Sequence, residues 1–287
     1  MKNLKKLKYL YWIIPCIILI SLWLWIQYFS EIKDISYKEY HELADKSSLT
    51  NDELRQAVNF VNDNNIPDVL NLRIENMTDK QAKIISKCDD VYFHNLSSLT
   101  DKQAQYLSKI RILSLDWLTS LTDKQAEYLW NVETLELNWL TSLTDKQAGY
   151  LSNVSQLYLD WLTNITDEQT KSLTKRPLEY EYGNDNISLL SLNWLTSITD
   201  KQAKYFSNIR VISLKWLTQI SDEQAEELWK IKGGVVLIWL TEITDKQIEL
   251  LSKGERSWLS PISLNCDILT ESQKEKTNNS NTFRNCD

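Results

Sequence analysis

Trp117, Trp139, Trp161, Trp194, Trp216 and Trp239 recur at one place in six successive stretches of similar sequence, and Asp116, Asn138, Asp160 and Asn193 each stand one residue before one of them. Aromatic rings beside carboxylates and amides suit polyhydroxylated ligands such as sugars, through ring stacking plus hydrogen bonds. The same rings can anchor side chains of a protein partner. Packing is the competing explanation, because rings repeated at a fixed spacing can cover strand ends and one another. Lys215 and Ile238 break the polar column before Trp216 and Trp239, which confines any such surface to the middle of the run. The plainer reading of the column is a solvated polar row. Tyr180 and Tyr182 lie in a stretch that interrupts the repetition. They are either a contact tip, since exposed aromatics favour binding, or part of a neutral surface insertion.

Other chemistry finds little footing. His41 and His94 are the only histidines and have no nucleophile arrangement around them. There is no glycine loop to cradle phosphate and no His-Glu-x-x-His pair. A stacked-carboxylate metal site fails because the Asn138 unit separates Asp116 from Asp160, and no His or Cys cluster replaces it. Hence no catalytic residue, metal or cofactor is expected. The net charge is −7; the first thirty residues hold four of the 32 basic groups and none of the 39 acidic ones, so the remainder carries −11. An acidic body without a basic patch excludes nucleic acid as the partner.

The elements that must position these residues follow from the repetition. An Asp after Thr or Ser recurs from Asp79 through Asp101, Asp123 and Asp145 to Asp167 in steps of 22, then after 33 at Asp200, 22 at Asp222 and 23 at Asp245. A fixed period in the twenties marks a solenoid. Within one unit, Leu121 to Ser142, Thr122 and Gln125 form a capping box at a helix start, and Asp123 complements the helix dipole. Ala126 and Leu129 give one apolar stripe over about two turns. Leu135, Glu136 and Leu137 then alternate as a short strand. One helix and one strand per unit are predicted, with the leucines fused into a continuous core by stacking. Adjacent strands would lie about 4.8 Å apart, so the tryptophans should form a stacked ladder.

The run Val132-x-x-Leu135-x-Leu137-x-x-Leu140 resembles the leucine-rich-repeat signature, and Leu140-x-x-Leu143-Thr-Asp is similar to the cysteine-containing subclass. The resemblance covers roughly Leu49 to Thr270. Leu stands where the family has Asn or Cys, at Leu118, Leu140, Leu162, Leu195, Leu217 and Leu240, and the unit is shorter than that subclass has. What the resemblance implies is an α/β solenoid with parallel strands on a concave face and short helices on a convex one, used to bind other molecules.

Outside the array, residues 1–8 carry Lys2, Lys5, Lys6 and Lys8, and residues 9–29 are mostly apolar and long enough to span a bilayer. Gln27 to Ser30 is no small-residue cleavage site, so an uncleaved signal anchor is expected. The basic end would stay in the cytoplasm and the array beyond the membrane. Residues 30–48 read as a linker or short helix. Residues 49–270 form the solenoid with an N-terminal cap opened by Thr50 and Glu53 and ending in a strand at Val69–Leu72, and residues 271–287 read as a disordered polar tail. Of Cys16, Cys88, Cys266 and Cys286, the last two are a candidate pair if the array faces an oxidising compartment. The functional expectation is a membrane-anchored recognition module for a protein or peptide, with a glycan-binding surface or a ligand-free spacer as alternatives.

Overall fold

The computed structural model describes residues 35–63, 69–175, 187–253 and 262–278. The expected stub and span, Tyr180 and Tyr182, Cys16 and Cys286 lie outside them. Two helices open the described chain, α1 (Tyr37–Ala44) and α2 (Asn51–Asp63). Strands and helices then alternate as β1 (Val69–Leu72), α3 (Asp79–Ile85), β2 (Asp90–Phe93), α4 (Asp101–Leu107), β3 (Ile112–Ser114), α5 (Asp123–Leu129), β4 (Thr134–Glu136), α6 (Asp145–Leu151), β5 (Gln156–Tyr158) and α7 (Asp167–Leu173). After residues 176–186 come β6 (Leu189–Ser191), α8 (Asp200–Phe206), β7 (Val211–Ser213), α9 (Asp222–Trp229), β8 (Val235–Leu237), α10 (Asp245–Leu251), β9 (Ile262–Leu264), a 3-10 turn (Cys266–Ile268) and α11 (Glu271–Asn278).

The nine strands form one parallel sheet in chain order. This is the α/β solenoid that the leucine-rich-repeat resemblance implied. Register aligns Leu70, Val91, Leu113, Leu135, Leu157, Leu190, Ile212, Val235 and Ile262 in one column, and every one of them is fully buried. They pack with the helix stripes, Ala126 and Leu129 of α5 among them, in one continuous core. The leucines that replace the family's Asn or Cys fill this core rather than hydrogen-bonding in it. The other side of the sheet is left open: Asn71 is exposed, and Tyr92, Glu136, Tyr158, Ser213 and Val236 are partly so. The 33-residue step does not disturb the sheet, since Gln156 pairs with Leu189 and Ser188 N donates to Ser155 O at 2.6 Å.

Each helix from α3 to α10 starts with the same capping box, Thr122 with Gln125 in α5 and Ser221 with Gln224 in α9. The glutamine does more than cap. Its Oε1 accepts from the N-cap amide, while its Nε2 donates to a carbonyl of the preceding unit: Gln125 to Leu99 O at 2.5 Å, Gln147 to Leu121 O at 2.7 Å, Gln202 to Ile165 O at 2.6 Å. The N-cap hydroxyl donates in turn to the helix-start Asp of the preceding unit, Thr122 to Asp101 and Thr144 to Asp123, both at 3.0 Å. The repeated Asp therefore serves as an acceptor between units as well as a dipole partner.

The two ends carry structure of their own. Of the linker and the short helix that residues 30–48 allowed, the helix is present: Ser36 and Glu39 cap α1, and Tyr40, Leu43 and Ala44, spaced as one helical stripe, are buried. The Tyr40 hydroxyl donates to Val69 O and accepts from Asn71 N, both at 3.3 Å, so α1 closes the free edge of β1. Past Thr270 the chain is not disordered at once. Thr270 and Gln273 repeat the capping box, and Gln273 Nε2 reaches back to Asp245 at 2.7 Å and to Ile243 O at 3.2 Å, which docks α11 on the last unit.

Candidate functional site on the open face of the sheet

Each tryptophan sits in the turn directly after its strand, where the backbone ladder continues: Trp139 N donates to Asp116 O at 3.1 Å and Trp161 N to Asn138 O at 2.8 Å. Successive rings are thereby held one strand spacing apart and stack. Centroids are 4.8 Å apart from Trp117 to Trp139, then 4.5, 5.0, 5.3 and 4.8 Å along to Trp239, with interplanar angles between 8° and 28°. The ladder is therefore a structural fact, unbroken across the 33-residue step. Its rings remain partly exposed, Trp117 by 42% and Trp239 by 53%. What they expose is edge, because each interior ring is covered on both faces by its neighbours. Only the outer faces of Trp117 and Trp239 are not covered by another ring of the ladder.

The Asp and Asn column is tied into the scaffold. Asn138 donates to Asp116 Oδ1 from both its side chain, at 2.8 Å, and its backbone, at 3.3 Å. Asn138 Oδ1 accepts from Asp160 N at 3.4 Å. Asp160 Oδ1 accepts from Asn193 N and from Ser191 Oγ, at 3.4 and 2.5 Å; Asn193, itself buried, accepts from Lys215 N at 3.3 Å and Ser213 Oγ at 2.6 Å. The sequence had allowed a solvated polar row here. Instead each hands an oxygen to the amide one strand further on, and Asp116 and Asp160 keep one carboxylate oxygen apiece for other partners.

A third column completes the site and carries residues that sequence reasoning did not single out. Register lines up Asn71, Tyr92, Ser114, Glu136, Tyr158, Ser191, Ser213 and Val236 across the open face. For the six from Ser114 to Val236 the signal was present as the residue three before each Trp of the ladder. Glu136 is half-buried, and burial pushes its carboxyl above the usual carboxylate range; a hydrogen bond from Ser114 opposes this, while Asp116 and Asp160 add to it. Burial also raises the Tyr158 hydroxyl, with Glu136 and Asp160 contributing. Tyr92 is raised in the same way, by burial and then by Glu136. At the near margin Asp90 is held by Arg111 Nη2 at 2.8 Å. The site thus gathers aromatic rings, hydroxyls and carboxylates on one sheet face. Among the described residues no group of three or more His, Cys, Asp or Glu is placed to hold a metal ion. Cys266 is disulfide-bonded to a partner outside the described residues, and Cys88 is a buried thiol.

No family model and no curated protein sequence matches the chain. Solved structures do. A chain of the Toll–Spatzle complex from Drosophila aligns with 61% of this chain at 12% identity and a TM-score of 0.45, and this chain spans only 23% of that one. An internalin (inlF) from Listeria monocytogenes aligns with 79% of this chain at 14% identity and the same TM-score of 0.45, over 69% of its own length.

Proposed function

We propose that this chain is a membrane-anchored recognition module whose open sheet face, the concave face of the expected solenoid, docks a protein or peptide. The observation that carries the reading is the composition of that face: Tyr92, Tyr158 and the exposed ladder edges, arranged around carboxylates on a scaffold held by hydrogen bonds between every pair of units. Aromatic anchors with polar surroundings are what protein interfaces use. Residues 9–29 supply the membrane span in this reading, with residues 1–8 in the cytoplasm and the array on the far side. Among the described residues no helix is long and apolar enough to cross a membrane, and the span lies outside them. The glycan alternative fits less well, since stacking on a sugar needs a free ring face and the interior rungs offer edges.

A photo-crosslinking residue at Ser213, on the open face, tests the docking half in the full chain in its native membrane. Capture of a discrete protein supports it, and recovery of background alone favours the ligand-free spacer. Protease protection on intact cells tests the anchor; an array left uncut there and digested only once the membrane is opened would reverse the proposed orientation.

A further inference from the structure

Three neighbouring strands of the open face differ from the rest of the molecule in how their carboxylates are matched. Elsewhere among the described residues of the repeats, the carboxylates that are not fully exposed meet bases: Lys102 pairs with Asp79 at 3.1 Å, Lys246 with Asp222 at 2.6 Å, and Arg111 with Asp90 at 2.6 Å. Glu136 on β4, and Asp116 and Asp160 after β3 and β5, form no ion pair with any described Lys or Arg, although all three are only partly exposed. The Tyr158 ring lies beside Glu136 in the register, one strand away, about 4.8 Å at backbone level. Ser114, on the other side, is buried and donates a hydrogen bond to Glu136. The result, among the described residues, is a patch of unpaired, partly buried carboxylates beside an aromatic ring.

We propose that this patch receives an arginine side chain of an extended partner segment, its guanidinium paired with the Glu136 carboxylate and stacked on the Tyr158 ring. Charge complementarity selects a cation, and Asp116 and Asp160 have the carboxylate oxygens left over to receive its remaining N–H groups. Guanidinium is favoured over ammonium because it is planar, donates in a fork that fits a carboxylate, and stacks on an aromatic face. Positive charge on one side helps set the position: Lys215 stands in the same column as Asp116 and Asp160 but toward the β9 end of the sheet, while Arg73 at the other end is already paired with Asp45 at 3.2 Å, so a basic residue is steered to the middle units. The inference rests on the docking reading and gives it a partner chemistry.

The test uses the full chain and three peptides, acetyl-Gly-Ser-Arg-Ser-Gly-amide and its lysine and citrulline counterparts, followed by saturation-transfer NMR. Citrulline keeps the shape of arginine without its charge. Transfer to the arginine side-chain protons is expected, falling at least fivefold in Glu136→Gln and in Tyr158→Leu, and near background for citrulline. Equal signals from arginine and citrulline, or an undiminished signal in Glu136→Gln, would overturn the proposal; equal signals from lysine would overturn the choice of arginine. Glu136→Gln removes a repelled charge, so its fold should survive, and its melting curve verifies this. The Ser213 crosslinker separates the two readings. A partner captured equally well by Glu136→Gln leaves docking intact and removes the arginine anchor, whereas arginine binding without any captured partner does the reverse.

Discussion

Gln125 illustrates how much one side chain decides in this array. An ordinary capping box accepts Glu or Gln at the third helical position, because only an acceptor oxygen is needed. Here the amide must also donate to Leu99 O. Gln125→Glu keeps the acceptor and loses the donor, so it should destabilise the fold by about 1–3 kcal/mol through the stranded carbonyl, measured by denaturant unfolding; a neutral result would reduce the residue to a simple cap. Glu does occupy this position at the two ends of the cap, Glu39 and Glu53, where no preceding repeat needs a donor. Glu53 takes Lys46 at 2.5 Å instead, and that bond, with those from Thr50, lowers its carboxyl to about 2. Since the folded value lies below the unfolded one, the stabilisation is present above the ordinary carboxylate range and is lost as pH falls toward about 2. Glu53→Gln should cost on the order of 1 kcal/mol at neutral pH, given solvent screening, with the difference from the parent vanishing in acid. Glu136 has the opposite sign. Its folded value is raised, so ionisation costs stability as pH climbs past the ordinary carboxylate range; Glu136→Gln should raise Tm at pH 7 and leave it unchanged well below that range.

At the scale of the element, the ladder and the strands depend on each other. An interior rung loses two stacking partners on truncation and an end rung loses one. Trp139→Ala should therefore cost about 1–3 kcal/mol in ring–ring contact and Trp239→Ala about half that, at roughly 0.5–1.5 kcal/mol per pair. Chemical unfolding checks the ratio, and equal costs would mean that the rings act singly. Period and strand spacing made this ladder legible in the sequence, as they did the helix, strand and capping box of each unit. What the pattern could not reveal was direction and partnership. Alternation placed Asp116, Asn138 and Asp160 on the open face without showing that their oxygens would be taken by the next strand's amides. Polar composition left α1 undecided between linker and helix and hid α11, since their few apolar or bridging residues, Tyr40 and Gln273, find partners distant in the chain. Glu136 was visible as one letter of an alternating strand, and only register set it beside Tyr158.

For the whole molecule, stability is passed from neighbour to neighbour. Gly233 lies where β8 approaches β7, its amide donating to Arg210 O at 2.8 Å; a Cβ there would come within 2.2 Å of that same oxygen. Gly233→Ala should therefore loosen one interface rather than one unit. Hydrogen exchange is expected to show faster opening from β8 through α11 while β1 to β5 keep their protection, and a uniform loss would mean that the array unfolds as a single block. The tyrosine hydroxyl that seals β1 gives the opposite end a different character, since an open parallel edge invites pairing with another chain.

The 33-residue step has a further consequence. Trp161 and Trp194 stack at 5.0 Å across it and the strands on either side keep their register, so residues 176–186 are free to vary in length and content at little cost in chain closure. A loop of foreign sequence spliced between these two strands is therefore expected to leave the scaffold on both sides matched unit to unit.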